Sequence, residues 1–266
     1  MYPVFKWIEW FLKLEISEIE IEKWKGKLLQ TNNVSDIQQS LAWKILGIDN
    51  GTMANDGLKL VFSLFVDWFN PRGNKISGNQ EISGSLVLTC LNLPPFLRNK
   101  LAFSLLYAII PGPNLPDIIT ISHILKPFVD ELLVFKDCFT IKTYQNTEGK
   151  QVYVHLLPLI GNLVAIHKAV GFGSHPANQF CSWFKGEANN LPLLKTVTFP
   201  IGMEVIEEAQ AWKGEKSVSL QEPIHKKTGV WWSELNRIPY QIPNMHIALG
   251  LMHNWLEGVL CEHFFH

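Results

Sequence analysis

Asp67 closes the apolar run LKLVFSLFVDWF, residues 58–69, and is the residue of this chain best placed to do chemistry. A carboxylate at the end of a buried strand can reach out of a sheet toward a divalent cation, which takes hard oxygen ligands. The same aspartate, just before Asn70-Pro71, also fits a capping or turn residue, and the residues alone leave both readings open. Arg72 and Lys75 follow at a spacing that could meet DNA phosphate or could lie in a solvated turn. His167 and His175 flank Gly171 and Gly173 and read as surface or capped histidines. Cys261, His263 and His266 crowd together, but a frayed helix end without a fourth ligand is a poor metal site. Asp130 and Glu131 read as solvent-facing. No P-loop, dinucleotide fingerprint, HExxH or Gly-x-Ser-x-Gly elbow occurs.

The elements that would position Asp67 follow from periodicity. The run from Leu58 is apolar and β-branched without alternation, which predicts a strand buried on both faces and ending at Asp67. Further strands are predicted at 84–91, 101–110 and 152–160. Between the last two, Ile118, Ile121, Leu125, Phe128 and Leu132 recur at three- and four-residue steps, predicting an amphipathic helix with Asp117 at its positive end. Gly161-Asn162 leads into a helix over 163–170. Ahead of this core, helices are predicted at 3–14 and 36–46, separated by the mixed-charge stretch 15–27. Trp7, Trp10 and Phe11 form a stripe that either packs on its own domain or docks a partner. The Gly-, Pro- and Asn-rich residues 171–245 suit an irregular insertion, and a last helix is predicted over 247–265. The order strand, strand, strand, helix, strand, helix marks an α/β domain and is also the opening order of a ribonuclease-H-like fold.

With 266 residues, 47% of them hydrophobic and 18% charged, the chain can build a core and is not disordered by composition. Its formal charge of -1 gives no basic field, so DNA binding would need local patches or another part of a longer protein. Cys90, Cys138, Cys181 and Cys261 form no CxxC pair and suggest a reducing compartment. Lys6, Glu9 and Lys13 break any signal-peptide core, and the apolar run 101–110 is too short for a bilayer. The expectation is a soluble intracellular protein, nuclear or cytoplasmic, with no membrane partner.

Six blocks occur in order: SLFVDWFNPRGNKISG (63–78), CLNLPPFLRNK (90–100), IIPGPNLPD (109–117), IGNLVAIHKAVGFGSHPANQFCSWFK (160–185), WWSELNRIPY (231–240) and LGLMHNWLEGVL (249–260). Together they resemble the CACTA-type DNA transposases, in the branch found in basidiomycete fungi. The resemblance runs from about residue 36 onward.

The resemblance implies an incomplete ribonuclease-H-like mixed sheet flanked by helices, with an N-terminal helical segment and an irregular insertion. The expected boundaries are 1–57 for the N-terminal segment, 58–170 for the core, 171–245 for the insertion and 246–266 for a C-terminal helix. It implies a DDE-type nuclease ancestry, in which carboxylates hold two Mg²⁺ ions for cleavage and strand transfer of transposon-end DNA. Asp67 matches the family's first catalytic acid. The second acid falls on Asn162, which removes a negative charge from a site meant for two dications. The family's CxxC pair reads Cys181-Ser182-Trp183-Phe184 here, leaving Cys181 as a zinc-knuckle remnant or an ordinary buried cysteine. His253 is kept, but Gly250 stands three residues before it, where the family has an acid or cysteine. The third acid falls beyond His266. The resemblance therefore implies a degenerate, truncated copy: its implied partners by descent are transposon-end DNA and a transposase oligomer, Mg²⁺ being an ancestral cofactor no longer held tightly. The other reading is a non-enzymatic module that binds DNA or protein.

Overall fold

The computed structural model describes residues 3–30, 33–45, 57–70, 82–112, 116–135, 137–173 and 202–250. In chain order the helices are α1 (Val4–Lys13), α2 (Glu15–Leu28), α3 (Leu41–Ile45), α4 (Pro95–Arg98), α5 (Ile118–Val134), α6 (Leu163–Val170), α7 (Gly202–Gly214) and α8 (Val218–Thr228). The strands are β1 (Leu58–Phe69), β2 (Ser83–Cys90), β3 (Ser104–Ile110), β4 (Phe139–Ile141), β5 (Lys150–Gly161) and β6 (Ile247–Leu249). The protein is mixed α/β, with an open mixed sheet in the order β3-β2-β1-β5-β4 and β6 also paired to β5. The pairing of β4 with β5 is antiparallel and that of β5 with β6 parallel. Gly57 lies against Gln151 and Tyr153, and Gly161 against Val66, so residue numbers rise together along β1 and β5, a parallel register. Among the described residues no helix is long and apolar enough to cross a membrane.

The chain forms two compact units from interleaved segments: Met1–Phe65, Leu86–Ile109 and Glu131–Leu157 in the first, the remaining segments in the second. In the first unit, β1 is covered on both faces, the physical reason for its unbroken apolar run. Phe62 takes the edge of Trp7, while Val61 clusters with Trp43, Leu91 and Leu157. Trp7 also stacks on Phe11 at 4.8 Å, so this part of the N-terminal stripe is core, and Trp10 is left 45% exposed. Glu131 is not merely solvent-facing: its Oε1 accepts the Phe5 N–H at 2.9 Å, supplying the cap that α1 lacks from its own residues.

The block CLNLPPFLRNK holds this unit together. Asn92 continues the ladder of β1 with its side chain, accepting the Val61 N–H at 2.7 Å and donating to the Lys59 carbonyl at 3.0 Å. Arg98 donates to the carbonyls of Leu91 and Leu93 and pairs with the buried Asp36 carboxylate at 3.1 Å. Gln38 donates to the carbonyls of Leu91 and Asn92.

The second unit holds the ends of β1 and β5, most of α5, and α6, α7, α8 and β6. Asp117 caps α5 by accepting the Thr120 N–H at 2.7 Å, which holds its carboxyl below the usual range. The block WWSELNRIPY ties down α6: Ser233 Oγ donates to the Ala169 carbonyl at 2.5 Å and accepts the Leu235 N–H. Asp130 faces solvent as expected, its side chain 41% exposed, and it also pairs with Arg237 at 2.6 Å and Lys126 at 2.7 Å.

Several expectations change. β1 continues two residues past Asp67, to Phe69. Residues 15–28 are a helix, which alternating Ile and Glu disguise in the sequence; its buried face includes Glu18, 2.7 Å from Lys150 Nζ. Leu101–Phe103 is a 3-10 turn, and β3 begins only at Ser104, three residues later than expected. The stretch 202–228, expected to be irregular, is a packed pair of helices, α7 and α8, although α8 carries Pro223 and buries none of its residues. Ile247–Leu249, expected to open a terminal helix, is a strand because the exposed edge of β5 takes its backbone hydrogen bonds. Residues 251–266 lie outside the described residues.

Candidate functional site

The ends of β1, β5 and β6 build the site. Gly161 ends β5 against β1, where a Cβ would collide with the Val66 carbonyl. Only glycine permits this approach, and it brings the next residue of each strand end together: Asn162 Nδ2 donates to Asp67 Oδ1 at 3.3 Å. Asn162 is also the N-cap of α6, accepting the Ala165 N–H on its Oδ1 at 2.8 Å. The cap fixes the amide orientation: carbonyl oxygen to the helix, NH₂ to Asp67. On the far side of β5, the Gly250 N–H donates to the Gly161 carbonyl at 2.8 Å, which sets position 250 beside the same strand end.

Positions 67, 162 and 250 thus meet at the ends of three adjacent parallel strands, but they offer one carboxylate, one amide and no side chain. Two dications need several anionic oxygens. Here the only carboxylate of the three faces a hydrogen-bond donor, and the amide oxygen is spent on the helix cap. These residues do not fit a two-metal centre. Among the described residues no group of three or more His, Cys, Asp or Glu could hold a metal ion.

Arg72, Lys75, His175, Cys181, His253, Cys261, His263 and His266 lie outside the described residues. His167 is described and is not on the surface. It is 2% exposed, and its Nδ1 lies 2.7 Å from the Gly173 carbonyl, which can only accept, so Nδ1 carries the proton. The bond secures the end of α6, where Gly171 turns at φ 91°. Burial lowers the His167 pKa.

Sequence reasoning missed His246, just before β6. Its Nδ1 accepts the Ile242 N–H at 3.0 Å, and its carbonyl accepts the Leu159 N–H of β5 at 2.8 Å. Its only sequence signal was a histidine before a short apolar run, too weak to separate from a surface residue. Burial lowers its pKa below the ordinary value of about 6.5. The unfolded chain therefore takes up the proton first as pH falls, so the stability this residue contributes is complete above about pH 6.5 and lost as pH drops through the lower folded value. Melting temperature is expected to fall from about pH 7 to pH 5, and His246→Asn, which keeps an acceptor near Nδ1 and cannot charge, to flatten part of that slope. An unchanged slope in the variant would refute the assignment.

Compared with known families, residues 32–179 match the model described as Transposase family tnp2, more than half of the chain. No curated protein matches.

Proposed function

This chain belongs to the transposase family tnp2, and from that premise we propose that it is a CACTA-type transposase derivative that has lost its DNA-cleaving chemistry. Its ancestor cut and joined transposon-end DNA on a ribonuclease-H-like sheet, using Mg²⁺ between carboxylates. The observation that carries the reading is the meeting of Asp67, Asn162 and Gly250 at three parallel strand ends. By resemblance all three are acid or metal-ligand positions, and two of them no longer hold an acid. The strand order, with β1 between β2 and β5 and an amphipathic helix before β5, supports the fold assignment. DNA is the proposed partner and the nucleus the proposed location.

The test is incubation of the purified protein with Mg²⁺ or Mn²⁺ and a labelled transposon-end duplex. No cleavage is expected, and specific nicking abolished by Asp67→Ala would overturn the inactive reading. Restoring the charges probes the ancestry itself. Aspartate caps a helix as well as asparagine, and a Cβ at Gly250 meets nothing closer than 3.5 Å. The variant Asn162→Asp/Gly250→Asp should therefore fold and gain stabilisation by Mn²⁺, about 2.7 kcal/mol at a hundred times its Kd. If Mn²⁺ leaves its melting temperature where it was, the strand ends are not a former metal site.

A second reading, a binding module without an enzymatic step, is favoured by a separate feature of the second unit. Trp212 and Trp232 are only half-buried there and line a cavity.

A further inference from the structure

In the unit that holds Asp67, α5, α7 and the segment after α8 surround a cavity of about 280 Å³. Its apolar walls are Ile118 and Ile119 of α5 with the indoles of Trp212 and Trp232, and Lys126 and Glu234 stand among the polar groups around them. Neither tryptophan serves the core: both are half-buried, and α7 buries only Gly202, Val205 and Ala209.

Trp232 is held in place from two directions. Its Nε1–H donates to Glu234 at 2.9 Å, and Lys213 Nζ sits 3.7 Å from its ring centroid. Two nearby carboxylates are paired: Arg237 with Asp130 at 2.6 Å and Glu234 at 2.9 Å, and Lys126 with Asp130 at 2.7 Å. The ammonium groups of Lys126 and Lys213 thus stand beside two aromatic faces, Lys126 on the lining of the cavity and Lys213 over the Trp232 ring. The volume admits a single planar base and excludes a duplex.

Indole faces that stack a base, with ammonium groups for the backbone, are the chemistry that holds single-stranded nucleic acid. We propose that this cavity takes one unpaired nucleotide of a DNA strand, its base on Trp212 and Trp232 and its phosphates on Lys126 and Lys213. The proposal rests on the reading of the chain as descended from a DNA-acting protein. It adds the form of DNA recognised and the residues that recognise it.

The full chain is titrated by fluorescence anisotropy with a labelled 12-nucleotide single strand, the corresponding duplex, and a free deoxynucleotide as competitor. Trp212→Ala is expected to weaken single-strand binding about tenfold, with Trp212→Phe recovering most of it and duplex affinity unchanged. Lys126→Ala/Lys213→Ala removes exposed side chains without touching the core and should lower the salt slope of single-strand binding by about 1.4. Single-strand affinity unchanged in both variants overturns the cavity alone. So does a free deoxynucleotide that binds as tightly as the strand. Failure of the protein to bind either form of DNA overturns the cavity and the DNA-binding reading together, whereas cleavage of the duplex bears only on the inactive reading.

Discussion

Replacing Arg98 by methionine is expected to lower stability by about 3–5 kcal/mol, the cost of leaving a buried charge without its partner. The Asp36 side chain is 1% exposed and that of Arg98 12%, so water cannot take over when the guanidinium is removed. The loss is compounded at the backbone, because Arg98 also serves the carbonyls of Leu91 and Leu93 just beyond β2. Asp36→Asn keeps an acceptor for the Gln38 N–H that caps the following 3-10 turn. The double variant Asp36→Asn/Arg98→Met should therefore recover a large part of the loss, since it removes both charges together. Urea denaturation of the two single variants and the double one measures the coupling. A loss below about 1 kcal/mol for Arg98→Met would place the pair with ordinary surface salt bridges and refute its role as the clasp of the first unit.

The second large effect belongs to Gly161→Ala. The added Cβ has backbone to meet, the Val66 carbonyl, and backbone cannot swing aside as a long side chain can. Overpacking of this kind costs about 1–3 kcal/mol or more, and here it acts by forcing β5 away from β1. Separation at this point also breaks the hydrogen bond between Asn162 and Asp67. Gly250→Ala is the matched control, since its Cβ would lie 3.5 Å from the Gly161 carbonyl, an ordinary contact. Thermal melts should show a large loss for Gly161→Ala and little change for Gly250→Ala. Equal tolerance of both would mean that the strand ends are not held as closely as described.

Much of the fold was legible because it is written in short-range patterns. The unbroken apolar run of β1, the three-and-four spacing of α5 and the Asn162 entry to α6 each reflect burial on a local period. Where a segment's structure depends on a distant partner, the pattern misled. β6 is only three residues long and exists because β5 offers an edge. The α7–α8 pair carries few buried residues of its own, so its periodicity is faint. The Arg98–Asp36 pair joins residues far apart in sequence, and nothing near either one announces the other.

The candidate site divides in the same way. By itself the sequence determined which residues are present: an aspartate after a buried strand, an asparagine before a helix, a glycine before a short histidine motif, and blocks that resemble a transposase. Only the tertiary structure decided that these three positions meet, because the parallel register of β1, β5 and β6 is set by hydrogen bonds between strands distant in the chain. It also decided what Asn162 presents there, since the cap on α6 consumes its carbonyl oxygen and turns its NH₂ toward Asp67. Residue type can be read from a sequence, but the direction in which an amide points is fixed by its partners.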